Sequence, residues 1–300
     1  MRAARCPARV KRASDAPPGA ALDLVVQAPH VASEDIDALL ALTHATRVDV
    51  LGRAANDAVR LENVASFDGV ADACGAAAYD CALVPGARTL DRVRLVAMDM
   101  DSTLITIECI DEIADLQGIK PEVAAITASA MRGEIDFAES LRRRVALLAG
   151  LPVDALAQVY EERLRLSPGA ERMLAGFTAI GAQTLLVSGG FTFFTHRLRD
   201  RLKLDHTLSN VLDVEDGKLT GRVLGDIVDA QAKAATFRDL ADSLRGTDGI
   251  AVAIGDGAND LPMLAQADVS IAYHAKPVVR ARATHAIDYC GLDSALNLFR

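Results

Sequence analysis

Four short runs constrain this chain more than any other feature: Val93 to Met98, Thr184 to Val187, Ile250 to Ile254 and Val269 to Ala272 are almost wholly apolar. A strand with one wet face alternates polar and apolar side chains; these runs do not alternate, so both of their faces must be covered. Parallel strands sandwiched between helices satisfy that demand, and the intervals between the runs leave room for helical crossovers. Ser167-Pro168 is read as opening one such helix, with a capping side chain ahead of a proline at the first helical position, and Gly181 as closing it before the second run. The expected core is a doubly wound α/β sheet.

Two insertions interrupt that core. From about residue 106 to 166 there is no β pattern, and helices are expected to start at Glu108, Pro121, Asp136 and Pro152, with Asp136 and Glu139 spaced as a capping box. This stretch reads as a helical cap. A smaller insertion at Asn210 to Leu224 carries Asp216-Gly217 between β-prone runs, the signature of a tight hairpin. Ahead of the core, Leu22 to Val26, Ser33 to Leu42, Arg47 to Leu51, Val59 to Val64, Phe67 to Ala78 and Asp80 to Val84 alternate as βαββαβ, the ferredoxin-like plan. ACT-type domains that bind amino acids share this plan, so ligand sensing, a structural role and homodimerisation through this unit all stay open. The division expected is a tail at 1–20, a ferredoxin-like domain at 21–86 and the α/β domain at 87–300.

A hydrophobic fraction of 51% in 300 residues fills one large or two moderate cores. Thirty-two basic against 41 acidic residues, a net charge of -9, argue against the broad cationic face that nucleic-acid binding needs. No apolar run approaches the roughly 20 residues that span a bilayer. Cys6, Cys74, Cys81, Cys109 and Cys290 are scattered without a CxxC pair, which suits a reducing cytoplasm better than a disulfide framework or thiolate metal site. Arg2, Arg5, Arg9, Lys11 and Arg12 ahead of Pro17-Pro18-Gly19 read as a solvated tail, with an organellar transit peptide as the alternative.

Three of the four apolar runs end in polar groups beside small residues. Met98 leads into Asp99-Met100-Asp101-Ser102-Thr103, Val187 into Ser188-Gly189-Gly190, and Ile254 into Gly255-Asp256-Gly257-Ala258-Asn259-Asp260. Ligands bind beyond the carboxyl ends of the strands in open α/β sheets, so the three segments should converge on one crevice. Asp99 and Asp101, two apart in extended chain, point to the same side. Two such charges at roughly 4 Å in an effective dielectric near 20 repel by about 4 kcal/mol, so a cation must offset them. A hard divalent ion with oxygen ligands, Mg²⁺, suits two carboxylates and a phosphate, and Asp256 supplies a further carboxylate. The plainer alternative is that these acids cap loops and helix ends. Ser188 before two glycines permits close backbone approach, so its hydroxyl and adjacent N–H groups can hold phosphate oxygens. In the cap, Phe137, Leu141, Val145 and Leu148 form one helical stripe, and Arg144 falls inside it while Arg142 and Arg143 face away. An arginine there either snorkels or points into a polar pocket, where a guanidinium matches a carboxylate bidentately.

The Asp-Met-Asp-Ser-Thr, Ser-Gly-Gly-Phe and Gly-Asp-Gly-Ala-Asn-Asp segments, with Lys233 in Asp-Ala-Gln-Ala-Lys, resemble the signatures of the haloacid dehalogenase superfamily over about residues 93 to 290. Within it, Glu-Cys-Ile-Asp-Glu-Ile after the first segment resembles the phosphoserine phosphatases. The resemblance implies that Asp99 is the nucleophile, Asp101 the general acid and base, and Ser188, Gly189 and Lys233 the phosphate clamp. It implies Asp99, the Asp101 carbonyl and Asp256 as Mg²⁺ ligands, Asp260 as orienting the metal shell and Lys233, and Asn259 as touching phosphate or substrate. It assigns Arg144 to the substrate carboxylate, Glu108 to its ammonium, and Met131 and Phe137 to the pocket wall. The implied reaction is hydrolysis of O-phospho-L-serine to serine and phosphate, the last step of serine biosynthesis, through an aspartyl phosphate. Rival readings are a phosphatase or phosphotransferase for another small amino-alcohol phosphate, an amino-acid-binding regulatory protein with an inert catalytic half, and a fragment of an ion-pumping ATPase. Lys276 and the histidines are assigned no role.

Overall fold

The structure, a computed structural model, describes residues 21–300; the basic tail expected over residues 1–20 lies outside them. The first unit is built from β1 (Leu22–Ala28), α1 (Ser33–Thr43), β2 (Arg47–Leu51), β3 (Asp57–Glu62), α2 (Val70–Ala77) and β4 (Asp80–Pro85), the anticipated βαββαβ order. Its antiparallel sheet runs β2-β3-β1-β4. Every residue of β1 is buried, because both faces are covered. Leu22, Leu24 and Val26 pack with Leu39, Val70 and Leu83 under the two helices, while Val25 with Ala82 and Val84 joins the main core.

The second unit begins with β5 (Val93–Met98), followed by the helices α3 (Cys109–Leu116), α4 (Lys120–Met131), α5 (Phe137–Ala146) and α6 (Asp154–Gln158) of the insertion. Then come α7 (Ala170–Ala179), β6 (Gln183–Phe191), α8 (Thr192–Leu202), the hairpin β7 (His206–Glu215) and β8 (Lys218–Leu224), and α9 (Ala230–Leu244). The chain ends through β9 (Ile250–Gly255), α10 (Leu261–Leu264), β10 (Val269–Tyr273), α11 (Pro277–Arg280), β11 (His285–Ile287) and a 3-10 turn at Leu292–Leu298. The sheet order is β11-β10-β9-β5-β6-β7-β8, parallel except for β8. β5 lies at its centre, and Met98 sits opposite both Leu186 and Ile254, so the chain leaves three neighbouring strands at one level.

Several boundaries differ from the sequence expectation for local reasons. α7 opens at Ala170 instead of Ser167, because Ser167 and Pro168 form a turn closed by the Ala170 N–H on the Ser167 carbonyl at 3.1 Å. The chain then passes Asp293 so closely, at Gly169 with φ 79°, that a Cβ there would collide with its carboxylate. The Asp216-Gly217 turn forms with both residues at positive φ, 49° and 73°, as a twisted two-residue hairpin requires. β7 starts four residues before Asn210 as a full member of the main sheet, so the hairpin extends that sheet. Its return strand braces the cap: the Gly150 N–H donates to Leu219 O at 2.7 Å and the Leu219 N–H to Leu151 O at 2.8 Å. No helix among the described residues is long and apolar enough to cross a membrane.

The two units are joined by polar groups, most of them buried. Arg60, 1% exposed, donates to Asp23 Oδ2 at 3.3 Å and to the carbonyls of Asn297 and Phe299 at 2.9 and 2.8 Å, ending the last 3-10 turn. Arg300 reaches the same Asp23 oxygen at 2.9 Å. Asp80 at the start of β4 accepts the N–H groups of Asp288, Tyr289 and Cys290, between 2.7 and 3.1 Å. Removing one partner of a buried pair strands the other charge. Asp23→Ala should therefore lower unfolding free energy by about 3 to 5 kcal/mol in chemical denaturation, whereas Asp239→Ala, which breaks the exposed pair with Arg238, should cost less than about 1 kcal/mol.

Candidate active site

Asp99 follows β5 directly and its N–H donates to Ile254 O at 3.1 Å, so the first residue beyond the central strand is still tied to the neighbouring strand. The chain then makes a wide turn in which the Ile105 N–H returns to Met100 O at 3.0 Å, with Ser102 in the left-handed region at φ 55°. This turn presents Asp99 and Asp101 to the crevice and sends the chain into α3. Lys233 comes from α9, whose start is fixed by Asp229 accepting the N–H groups of Gln231 and Ala232 at 2.9 Å each. Four residues on, Lys233 is 1% exposed and its ammonium donates to Asp99 Oδ1 at 2.8 Å and Asp260 Oδ1 at 2.9 Å. Lys233 is therefore not a solvated helix residue.

Carboxylate oxygens of Asp99, Asp256 and Asp260 lie within 4.8 Å of one another, which gathers the first and third segments at one point. Asp260 also accepts the Gly257 N–H on Oδ2 at 3.0 Å, so both of its oxygens already have donors. Thr103 donates to Asp256 Oδ1 at 3.3 Å. The site is short of positive charge. Burial and the charge of Asp260 drive Asp99 well above the usual carboxylate range against the pull of Lys233. Burial and then Glu108 push Asp101 up to about 7, although the Cys109 N–H donates to its Oδ1 at 3.0 Å. Burial, Asp260 and Glu108 push Asp256 up to about 6, with exposed Lys276 pulling the other way. Despite its burial, Lys233 is held above its ordinary value by Asp99 and Asp260. An all-oxygen donor set whose carboxylates resist ionisation fits a hard divalent cation.

The second segment forms the opposite wall. Ser188 is buried and its Oγ accepts the Gly190 N–H at 2.8 Å. β6 continues to Phe191, so this loop belongs to the strand end and α8 starts beyond it. A Cβ on Gly190 would stand 3.0 Å from both Asp101 Oδ2 and Ser188 Oγ, which measures how closely the first and second segments approach. The cap closes over them: a Cβ on Gly189 would lie 2.8 Å from Phe137 Cζ. The pKa of Arg144, half-buried on α5, is lowered by burial against the opposing pull of Asp111, Glu108 and Asp101, and its Nε donates to Ser140 O at 3.4 Å. Arg142 and Arg143 are exposed. Glu108 precedes α3 and accepts the Ser102 hydroxyl on Oε1 at 2.7 Å. Asn259 leans on Asp260, with Nδ2 3.5 Å from its Oδ1.

Met131 departs from the expectation. It is 76% exposed at the end of α4, a helix whose one buried residue is Val123, so the helix lacks the apolar stripe that would hold Met131 inward. Three polar residues went unassigned in the sequence: Ser102, Thr103, and Asn210 of β7. Asn210, 1% exposed, donates to Gly189 O and accepts the Val228 N–H, each at 2.8 Å, linking the Ser188 loop to the approach of α9. As the first residue of the expected insertion it carried no local signal of that role.

Residues 96–265 match the family model of haloacid dehalogenase-like hydrolases. The chain belongs to that family. Residues 24–70 match a domain of unknown function (DUF4072). The phosphoserine phosphatase of a Polaromonas species is 54% identical over 216 residues, covering 70% of this chain and 92% of the relative. The unliganded structure of a probable phosphoserine phosphatase from Vibrio cholerae superposes with a TM-score of 0.79 at 37% identity, over 92% of this chain and 85% of that one. A substrate-bound phosphoserine phosphatase superposes with a TM-score of 0.63 at 36% identity, over 69% of this chain and 99% of that one.

The tight approach at Gly190 is testable. Gly190→Ala places a methyl between Asp101 and Ser188, and displacement of reacting groups by about 1 Å can cost 10²-fold. Phosphatase turnover should fall about 100-fold while the circular dichroism spectrum is retained; near-normal turnover would show that the two walls are not jointly engaged.

Proposed function

We infer that this chain is a phosphoserine phosphatase that hydrolyses O-phospho-L-serine to L-serine and phosphate. The observation that carries the reading is the meeting of two charge sets in one crevice: the Asp99–Lys233–Asp260 cluster, suited to a phosphoryl group, and Arg144 with Glu108, suited to a carboxylate and an ammonium. Phosphoserine has all three groups. The similarity to phosphoserine phosphatases over most of their length points the same way.

In the mechanism proposed, Asp99 uses Oδ2 as nucleophile, since Oδ1 is committed to Lys233 and to the Met100 N–H at 2.8 Å each. Attack on phosphorus is in line and yields an aspartyl phosphate on Asp99. Lys233, the Ser188 hydroxyl and Asn259 hold phosphoryl oxygens. Asp101, whose carboxyl keeps its proton to about 7, donates it to the departing serine oxygen, and as carboxylate then takes a proton from the water that hydrolyses the intermediate. Mg²⁺ would be held by Asp99, Asp256 and the Asp101 carbonyl, with Asp260 steadying Asp256's side of the cluster, and when bound supplies the positive charge that keeps Asp99 ionised beside a phosphate dianion. Arg144 binds the substrate carboxylate and Glu108 the ammonium, while Phe137 against Gly189 keeps bulk water from the first step.

By the same reading residues 87–300 are the catalytic domain, with the cap at about 106–166, and residues 21–86 a ferredoxin-like accessory domain. The sheet face turned away from α1 and α2 is filled by the C-terminal segment through Arg60, which favours a structural role for this domain over amino-acid sensing. The same reading places the protein in a reducing cytoplasm, which the scattered cysteines suit, and has the N-terminal domain as the surface for homodimerisation.

Asp99→Asn should abolish phosphate release from phosphoserine with folding retained; substantial residual turnover would remove Asp99 as nucleophile. Arg144→Ala should reduce kcat/KM for phosphoserine by about 100-fold or more, the order of a buried charge-assisted bidentate contact, and far less for an aryl phosphate, and equal losses would refute its role. Chelation of divalent metal should stop turnover and added Mg²⁺ restore it.

A further inference from the structure

Ser102 occupies a conformation that side chains avoid, at φ 55° and ψ 4° inside the catalytic turn, where glycine would sit without strain. What a glycine would lack is the hydroxyl, and that hydroxyl donates to Glu108 Oε1 at 2.7 Å. The Ser102 N–H also donates to Ile107 O at 3.2 Å, so backbone and side chain together clasp the two residues leading into α3. Glu108 has the extended backbone of an N-cap, φ -98° and ψ 106°, yet its side chain makes no bond to the helix it precedes. An acceptor at that position ordinarily takes an N–H of the first turn. Here it is turned toward Ser102, on the side where its charge acts on Asp101, Asp256 and Arg144.

We propose that Ser102 is a positioning residue for substrate selection: its hydroxyl holds the exposed Glu108 carboxylate by one oxygen, turned away from its own helix, and leaves Oε2 for the substrate ammonium. Ser102 itself bonds neither substrate nor phosphate. The strain of the left-handed residue is retained because the turn needs that conformation and the ammonium subsite needs the hydroxyl. The inference rests on the reading of Glu108 as the ammonium's partner.

The test compares Ser102→Ala, Ser102→Gly, Glu108→Ala and the Ser102→Ala/Glu108→Ala pair, assayed on phosphoserine and on p-nitrophenyl phosphate, which has no ammonium. Loss of a hydrogen bond to a charged group corresponds to about tenfold, so the KM for phosphoserine should rise by about that factor relative to the change with the aryl phosphate. Both single Ser102 variants should show it, although Gly relieves the backbone strain. In the Glu108→Ala background, Ser102→Ala should add nothing to the phosphoserine KM. A Ser102→Gly enzyme with wild-type KM, equal losses on both substrates, or full additivity in the double variant would overturn the proposal. If Glu108→Ala raises the phosphoserine KM while the Ser102 variants do not, the positioning inference alone falls; if Glu108→Ala changes neither substrate, the ammonium assignment falls and takes the inference with it.

Discussion

Lys233 is buried among carboxylates, and much of the molecule is arranged to make that tolerable. An ammonium withdrawn from water needs charged partners in hydrogen-bond range, and Asp99 and Asp260 supply them at 2.8 and 2.9 Å. Those partners arrive from β5 and from the turn after β9, so the two strands must be neighbours in strict register, as the pairing of Met98 with Ile254 makes them. The lysine itself must enter from a helix whose first turn is pinned, which Asp229 does by accepting two N–H groups. One lysine does not balance the acids gathered there. Burial first, and the crowding of like charges after it, raise the carboxyls of Asp99, Asp101 and Asp256, which leaves Asp101 an acid able to hold a proton near neutrality and a cluster whose charge a divalent cation would offset.

Away from the crevice, the first sheet and the end of the chain depend on each other. β1 is buried on both faces, and the polar side chains on its second face find their partners in β3 and in the C-terminal segment: Asp23 with Arg60 of β3 and with Arg300, and Gln27 with Asn297 at 2.9 Å. Phe299, whose carbonyl Arg60 holds, also packs edge-to-face on Phe177 of α7, with centroids 6.0 Å apart. The accessory unit therefore completes the flank of the catalytic sheet. The cap is held differently, by the β7–β8 hairpin on one side and by Phe137 against Gly189 on the other, so its hold on the sheet runs partly through residues of the site.

How much of this was legible in the sequence follows from the range of the forces involved. Uninterrupted apolar runs of four to six residues, too short for helices and bounded by polar and small residues, read as doubly covered strands, so the α/β core was readable, as were the Asp216-Gly217 hairpin and the βαββαβ order. Arg144 was readable because helical periodicity is local and placed it inside an apolar stripe. Met131 was not, since family pattern alone placed it in the pocket and α4 has no stripe to enforce it. β11, three residues long, has no periodicity to detect.

The sequence by itself determined which side chains leave the ends of the central strands, because strand direction, apolar patterning and turn chemistry act within a few residues. It did so for Asp99, Asp101, Ser188 and Asp256. Only the tertiary structure decided what those residues do to one another. That Lys233 is shared between Asp99 and Asp260, that Asn210 ties Gly189 to Val228, and that the Ser102 hydroxyl turns Glu108 from its own helix are contacts set by strand register and by the wide turn after β5. Hydrogen bonds act only within about 3 Å, and no one-dimensional spacing encodes distances of that order between groups that lie from 6 to 134 residues apart along the chain.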